Sequence, residues 1–131
     1  MTEGKKKEIF RGEIYWFHSG GELSSEQSGN RPCVVVSNNM ANHYSPVVTV
    51  VPITSRSKKR LPTHASLKTL LFPSIALCEQ VRSVSKDRLS SYIGTCTPSE
   101  MVEIDKGLCV QLCLPSMTNL LDNMELGRMV K

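Results

Sequence analysis

An arginine, a threonine and a basic run are spaced in this chain as a phosphodiester would need them. Arg31 stands before Pro32 and the apolar Cys33-Val34-Val35-Val36, and Thr54 closes a second apolar run that begins at Val47. If the two runs are neighbouring strands, the guanidinium and the hydroxyl share one sheet edge. A planar guanidinium presents parallel N–H donors to non-bridging phosphate oxygens, and a threonine hydroxyl can hold another oxygen. Arg56, Lys58, Lys59 and Arg60 follow directly, so the loop beside that edge attracts an anion. The plain alternatives are an Arg31 salt-bridged to Glu26 or Glu79 and a strand-end threonine bonded to backbone.

The remaining candidates flank this pair. Ser25, Glu26, Gln27 and Asn30 lie in the polar loop that runs into Arg31, and Ser55 opens the basic loop. His64 is a possible base, although a lone histidine after Pro-Thr is more often structural; His18 and His43 are weaker. Glu79, Gln80 and Arg82 fall in one strand-like run, where alternation turns Glu79 and Val81 one way and Gln80 and Arg82 the other. One of those faces would brace Arg31 or meet the ligand.

Elements able to position these residues can be read along the chain. Ile9 to Phe17 is aromatic and β-branched, a first strand. A second strand opens at Pro32 and is buried on both faces. A short helical turn is expected near Met40-Ala41, then a third strand from Val47 to Ile53, which Pro52 marks as finishing at an edge. Short strands follow at His64–Leu67, Ser74–Val84 and Tyr92–Gly94, with a turn near Asp87-Arg88. Thr97-Pro98-Ser99-Glu100 announces a helix by a capping box with proline at its first position. Met101, Ile104, Leu108 and Leu112 give it one apolar stripe, Gly107 permits close packing on a sheet, and Pro115 ends it. Met117, Leu120, Leu121 and Met124 suggest a short second helix. The expected fold is α+β, mainly β: a small antiparallel barrel with a C-terminal helix packed against it.

The chain has 131 residues, enough for one domain with its own core, and a formal net charge of +4, which alone decides little. Lys5-Lys6-Lys7 reads as part of a flexible basic N-terminus over residues 1–10. The five cysteines show no CxxC and no partnering histidines at metal-ligand spacing. Free thiols and a reducing cytoplasm are expected, with no metal and no cofactor. No apolar run approaches a membrane span.

Read in order, RGEIYWF at 11–17, SEQSGNRPCVVVSN at 25–38, NHYSPVVTVVPIT at 42–54, LPTHASL at 61–67, ALCEQVRSVSKDRL at 76–89 and EMVEIDKGLCVQLCL at 100–114 resemble the MazF/PemK/Kid toxins of type II toxin–antitoxin systems. The likeness is closest to the MazF branch and covers residues 11–115, leaving 116–131 as a tail. It implies an SH3-like barrel, a homodimer, and a metal-independent endoribonuclease acting on single-stranded RNA. It also implies a MazE-like antitoxin whose acidic segment covers the RNA groove. The catalytic pair of that branch matches Arg31 and Thr54. Ser25, Glu26, Gln27, Asn30, Ser55, Arg56, Lys58, Lys59, His64, Glu79, Gln80 and Arg82 are the expected RNA contacts. The Kid-like branch places an arginine and a histidine where this chain has Leu77 and Ser25, so Arg31 and Thr54 must carry more of the chemistry. Two other readings remain: a non-catalytic CcdB-like toxin that binds gyrase, and an RNA-binding barrel with an inactive site.

Overall fold

The computed structural model describes residues 8–18, 30–55 and 59–115. The strands are β1 (Glu13–His18), β2 (Asn30–Val35), β3 (Val47–Thr54), β4 (His64–Leu67), β5 (Ser74–Leu77), β6 (Arg82–Ser85) and β7 (Leu89–Thr95). A short helix α1 (Asn39–Tyr44) precedes β3, and α2 (Pro98–Leu112) follows β7. All pairings are antiparallel, and the main path runs β4-β5-β3-β2-β1-β7, with β6 also on β3. A three-residue 3₁₀ turn, Lys86–Arg88, joins β6 directly to β7. Two strands from opposite ends of a five-strand path are thereby tied together, and the sheet must curl into an SH3-like barrel.

Period-two alternation divides the core between the two sheet faces. Val34, Val51, Ile53, Ala65, Leu67 and Ala76 pack with Ile104 of α2 on one side. Tyr15, Phe17, Cys33, Val35, Val48, Val50, Val84 and Leu89 fill the inside of the curl. The double burial expected for β2 is therefore present. β1 begins later than Ile9, because Phe10 and Glu13 close a turn (Glu13 N–H to the Phe10 carbonyl, 3.1 Å) in which Gly12 takes φ +96°.

Two further expectations change. The run from Ser74 to Val84 is not one strand: a 3₁₀ turn at Cys78–Gln80 separates β5 from β6. β3 is also central rather than an edge. Along one side it pairs β6 at Val47–Val50 and β5 at Ile53–Thr54, and the ladder skips Val51 and Pro52 opposite that turn. Proline is tolerated where the ladder is already broken, because the N–H it lacks has no bond to make there.

The helix reads as expected at its start. Thr97 Oγ1 accepts from the Glu100 N–H at 3.1 Å, and Glu100 Oε1 accepts from the Thr97 N–H at 2.8 Å. Ile104 is fully buried, and Met101 and Leu108 pack against the same cluster, but Leu112 is exposed, beyond the buried stretch. Cys113 caps the helix in the left-handed region at φ 58°. No helix among the described residues is long and apolar enough to cross a membrane. Of the tail, only the expectation stands; 116–131 lies outside the described residues.

Candidate functional site

The inside of the curl opens at one end of the barrel, and the register shows why Arg31 and Thr54 belong there. β2 and β3 pair as Val35↔Val50, Val34↔Val51 and Cys33↔Pro52. Continued by two residues, that register sets Arg31 opposite Thr54, on the same face as Cys33 and Pro52. On the other side of β2, Arg31 pairs with Phe17 of β1. The strand ends thus build a row of three positions: Phe17, Arg31 and Thr54. Pro32 opens this segment as a fixed extended residue, and the valines after it anchor β2 in both cores.

A groove of about 340 Å³ lies at the Phe17 and Arg31 positions of this row, lined by Phe17, Arg31, Pro32, Cys33, Val50, Pro52, Gln80 and Arg82; Thr54, next along the row, is not part of its lining. Its floor is apolar and its rim is cationic. Arg31 is exposed, and the ion pairs among the described residues do not include it. The plain reading that paired it with Glu79 therefore fails; Glu26 lies outside the described residues. The Arg82 guanidinium rests over the Phe17 ring, 5.2 Å from its centroid. Burial pushes the Cys33 thiol up to about 12, against a smaller lowering by Arg82, so Cys33 is a neutral floor residue. Thr54 is half-buried at the end of β3.

Gln80 and Arg82 share the groove, while Glu79 turns the other way and Val81 packs toward the α2 side. The division of faces matches the alternation expected from sequence, although the 3₁₀ turn produces part of it. Glu79 does not meet the groove as an RNA contact would. Its carboxylate accepts from the Thr63 hydroxyl at 2.7 Å and from His64 Nε2 at 3.1 Å. Burial acts to raise the Glu79 carboxyl, but the hydrogen bonds from Thr63, its own backbone N–H and His64 outweigh it, and the net direction is down.

His64, also expected as an RNA contact, is turned into the protein and is not part of the groove lining. Its side chain is 1 % exposed, and Nδ1 accepts from the Leu61 N–H at 3.2 Å, which leaves the proton on Nε2 for Glu79. With both nitrogens engaged, the ring ties the end of the basic loop to the 3₁₀ turn. Gly107 of α2 packs against the same point: a Cβ there would come within 2.8 Å of both Thr63 O and Cys78 Sγ.

Of the loop candidates, Ser25, Glu26, Gln27, Arg56 and Lys58 lie outside the described residues. Asn30 starts β2, and Lys59 is exposed. Ser55 lines a separate, more open depression of about 640 Å³ with Leu70, Leu71 and Phe72. Sequence reasoning missed Phe17 and Thr63. Phe17 passes for core until its pairing with Arg31 is known, and no local signal marks Thr63 as a partner of Glu79.

The fold and groove define a class: a small curled barrel whose groove carries two guanidinium groups without a carboxylate partner among the described residues, suited to an extended anion. Residues 10–112 match the family described as PemK-like, MazF-like toxin of type II toxin–antitoxin system. The endoribonuclease MazF of Staphylococcus epidermidis is 35 % identical over 111 residues, 81 % of this chain and 92 % of that protein. The structure of a mycobacterial endoribonuclease in complex with its cognate antitoxin superposes with a TM-score of 0.70 at 28 % identity, covering 82 % of this chain and 97 % of that one. MazF from Deinococcus radiodurans shares the fold, with a TM-score of 0.70 at 22 % identity over 83 % of this chain and 100 % of the other. The chain belongs to the PemK-like, MazF-like family of type II toxins.

Proposed function

We propose that this chain is a toxin endoribonuclease that cuts single-stranded messenger RNA with the substrate's own 2′-hydroxyl as nucleophile. One observation carries the reading. The β2–β3 register sets Arg31 opposite Thr54 at the mouth of a groove whose cations lack carboxylate partners among the described residues. The 2′-hydroxyl gives its proton to solvent as its oxygen bonds to the adjacent phosphorus, the P–O5′ bond breaks and the leaving O5′ takes a proton from solvent, so the products carry a 2′,3′-cyclic phosphate and a 5′-hydroxyl. The Arg31 guanidinium offers hydrogen-bond donors and no acceptor, so it acts as donor and not as base. Its fork neutralises the non-bridging oxygens as charge grows on them, and charge stabilisation of this kind is usually the largest single contribution. Thr54 orients a phosphate oxygen through its hydroxyl. No step uses a metal ion.

Ser25, Glu26, Gln27 and Asn30, ahead of Arg31 in the sequence, and Ser55, Arg56, Lys58 and Lys59, after Thr54, are further RNA contacts in this reading. With one Trp, three Tyr and three Phe in the chain, bases are read more by hydrogen bonds than by stacking. Gln80, on the rim, is one such reader. The same cationic rim suits the acidic segment of a cognate antitoxin, which would block the groove; a mycobacterial relative was solved with its own antitoxin. The toxin acts as a homodimer in the cytoplasm, where its substrate is. A gyrase-binding toxin would have no use for a phosphate site at a strand end.

The test is Arg31→Ala. The side chain is exposed, so folding is kept, and cleavage falls by about 10²–10³-fold. Full activity in that variant would remove Arg31 from the chemistry. Activity of the wild type is unchanged in EDTA; loss of cleavage restored by a divalent ion would overturn the 2′-hydroxyl mechanism.

A further inference from the structure

The groove holds a second guanidinium that the Arg31–Thr54 pair does not use. Arg82 opens β6 opposite Val50, four residues along β3 from Thr54. At about 3.3 Å per residue its backbone therefore starts roughly 13 Å from the Arg31 level. Its guanidinium nevertheless lies 5.2 Å from the centroid of the Phe17 ring, and Phe17 is the direct cross-strand partner of Arg31. The negative face of an aromatic ring attracts a cation, so Phe17 draws the Arg82 charge along the groove toward the Arg31 end. Neither arginine has a carboxylate among the recorded ion pairs of the described residues. Two like charges gathered in one groove repel each other, and an anion bound between them relieves that repulsion.

We propose that Arg82 is a second phosphate-binding residue of this groove, positioned by Phe17, and that it takes the RNA phosphate next to the one held by Arg31. This rests on the groove being the RNA site. An extended single strand carries one negative charge per nucleotide, so a bound backbone presents neighbouring phosphates to successive cations. Arg82 grips a phosphate that does not react, and that grip is equal in the ground state and the transition state. Its loss therefore raises KM and leaves kcat nearly unchanged, whereas loss of Arg31 lowers kcat. Phe17 acts through Arg82 and is a positioning residue.

The experiment measures binding of wild type, Arg82→Gln and Arg82→Lys to a single-stranded oligoribonucleotide blocked by 2′-O-methyl groups, across a salt series. Arg82 is exposed, so Arg82→Gln keeps the fold, which circular dichroism checks. The expected result for Arg82→Gln is binding about tenfold weaker and a log–log salt slope shallower by about 0.7, the value of one phosphate contact on a single strand. Arg82→Lys keeps most of the slope. On cleavable RNA, Arg82→Gln raises KM with kcat near wild type. The double variant Phe17→Leu/Arg82→Gln binds no worse than Phe17→Leu alone, because the two residues act as a unit. An unchanged affinity and slope in Arg82→Gln, with wild type binding and cutting normally, overturns the proposal and leaves the enzyme reading intact. Binding without cleavage by the wild type removes the chemistry but not the phosphate contact; no RNA binding at all overturns both.

Discussion

The two faces of the curled sheet handle polar groups in opposite ways. On the α2 side the buried Glu100 and the half-buried Glu79 carboxylates are both bonded. Glu100 accepts from the Lys68 and Thr69 N–H groups at 2.5 and 3.1 Å, from the Thr69 hydroxyl at 2.5 Å and from the Thr97 N–H at 2.8 Å. Glu79 is held by Thr63 and His64. On the groove side, Arg31 and Arg82 are exposed over an apolar floor; among the described residues neither has a carboxylate partner, and Arg82 rests on the Phe17 ring. Satisfied polar groups fix a structure, because an unpaired buried one costs about 1–3 kcal/mol. Exposed cations with no carboxylate partner among the described residues add little to stability, and such groups are available to a ligand. The first face holds the turn and loop in place; the second is the face proposed to bind RNA.

This contrast can be broken at either face, and the largest effect belongs to the groove. Arg31→Ala lowers cleavage by about 10²–10³-fold while leaving thermal unfolding close to wild type, which paired activity and calorimetric measurements check. On the α2 face the effects reverse. Gly107→Ala forces a methyl against the Thr63 carbonyl and Cys78, and the expected loss is roughly 1–3 kcal/mol, as for overpacked cores, read by urea unfolding. Activity falls with it only as far as the Thr63–Glu79 link is disturbed. An undiminished midpoint would mean that α2 does not press on that turn.

Acid sharpens the same comparison. For Glu100, burial acts to raise the carboxyl, but hydrogen bonds from Thr69, Lys68 and Thr97 prevail and the net direction is down, as for Glu79. A carboxyl lowered by folding binds fewer protons in the native state than in the unfolded one. Its stabilisation is complete above the unfolded value near 4.5 and is lost as pH falls through the lower folded value. Melting temperatures should hold near neutrality and drop below that point, with a flatter profile in Glu100→Gln. The smallest effect is that of the cap: Thr97→Ala should cost about 1 kcal/mol without altering the cleavage pattern.

How much of this was legible beforehand depended on how local the determinants are. The capping box, the close packing of Gly107 and the bounds of β4 are written in adjacent residues, and they stand in the structure as read. The Arg31–Thr54 row was legible because two strands that meet in antiparallel register bring their ends together. The break at Cys78–Gln80 was not, because alternation continues through it and the turn is imposed by contacts with Thr63 and α2. His64 and Glu79 looked like ligand contacts for the same reason. Their partners are Leu61 and Thr63, and no spacing in the chain announces that a histidine will spend both nitrogens inside the protein. Phe17 passed for ordinary core, and only strand pairing shows that it lies beside Arg31.

The central claim is that the open, cationic face cuts RNA by way of the 2′-hydroxyl. The direct test is to incubate the purified protein with a long single-stranded RNA in EDTA and to map the new ends. The account predicts discrete cuts at a short recurring sequence, with 2′,3′-cyclic phosphate on one side and 5′-hydroxyl on the other. Intact RNA, from protein shown to be folded, would contradict it.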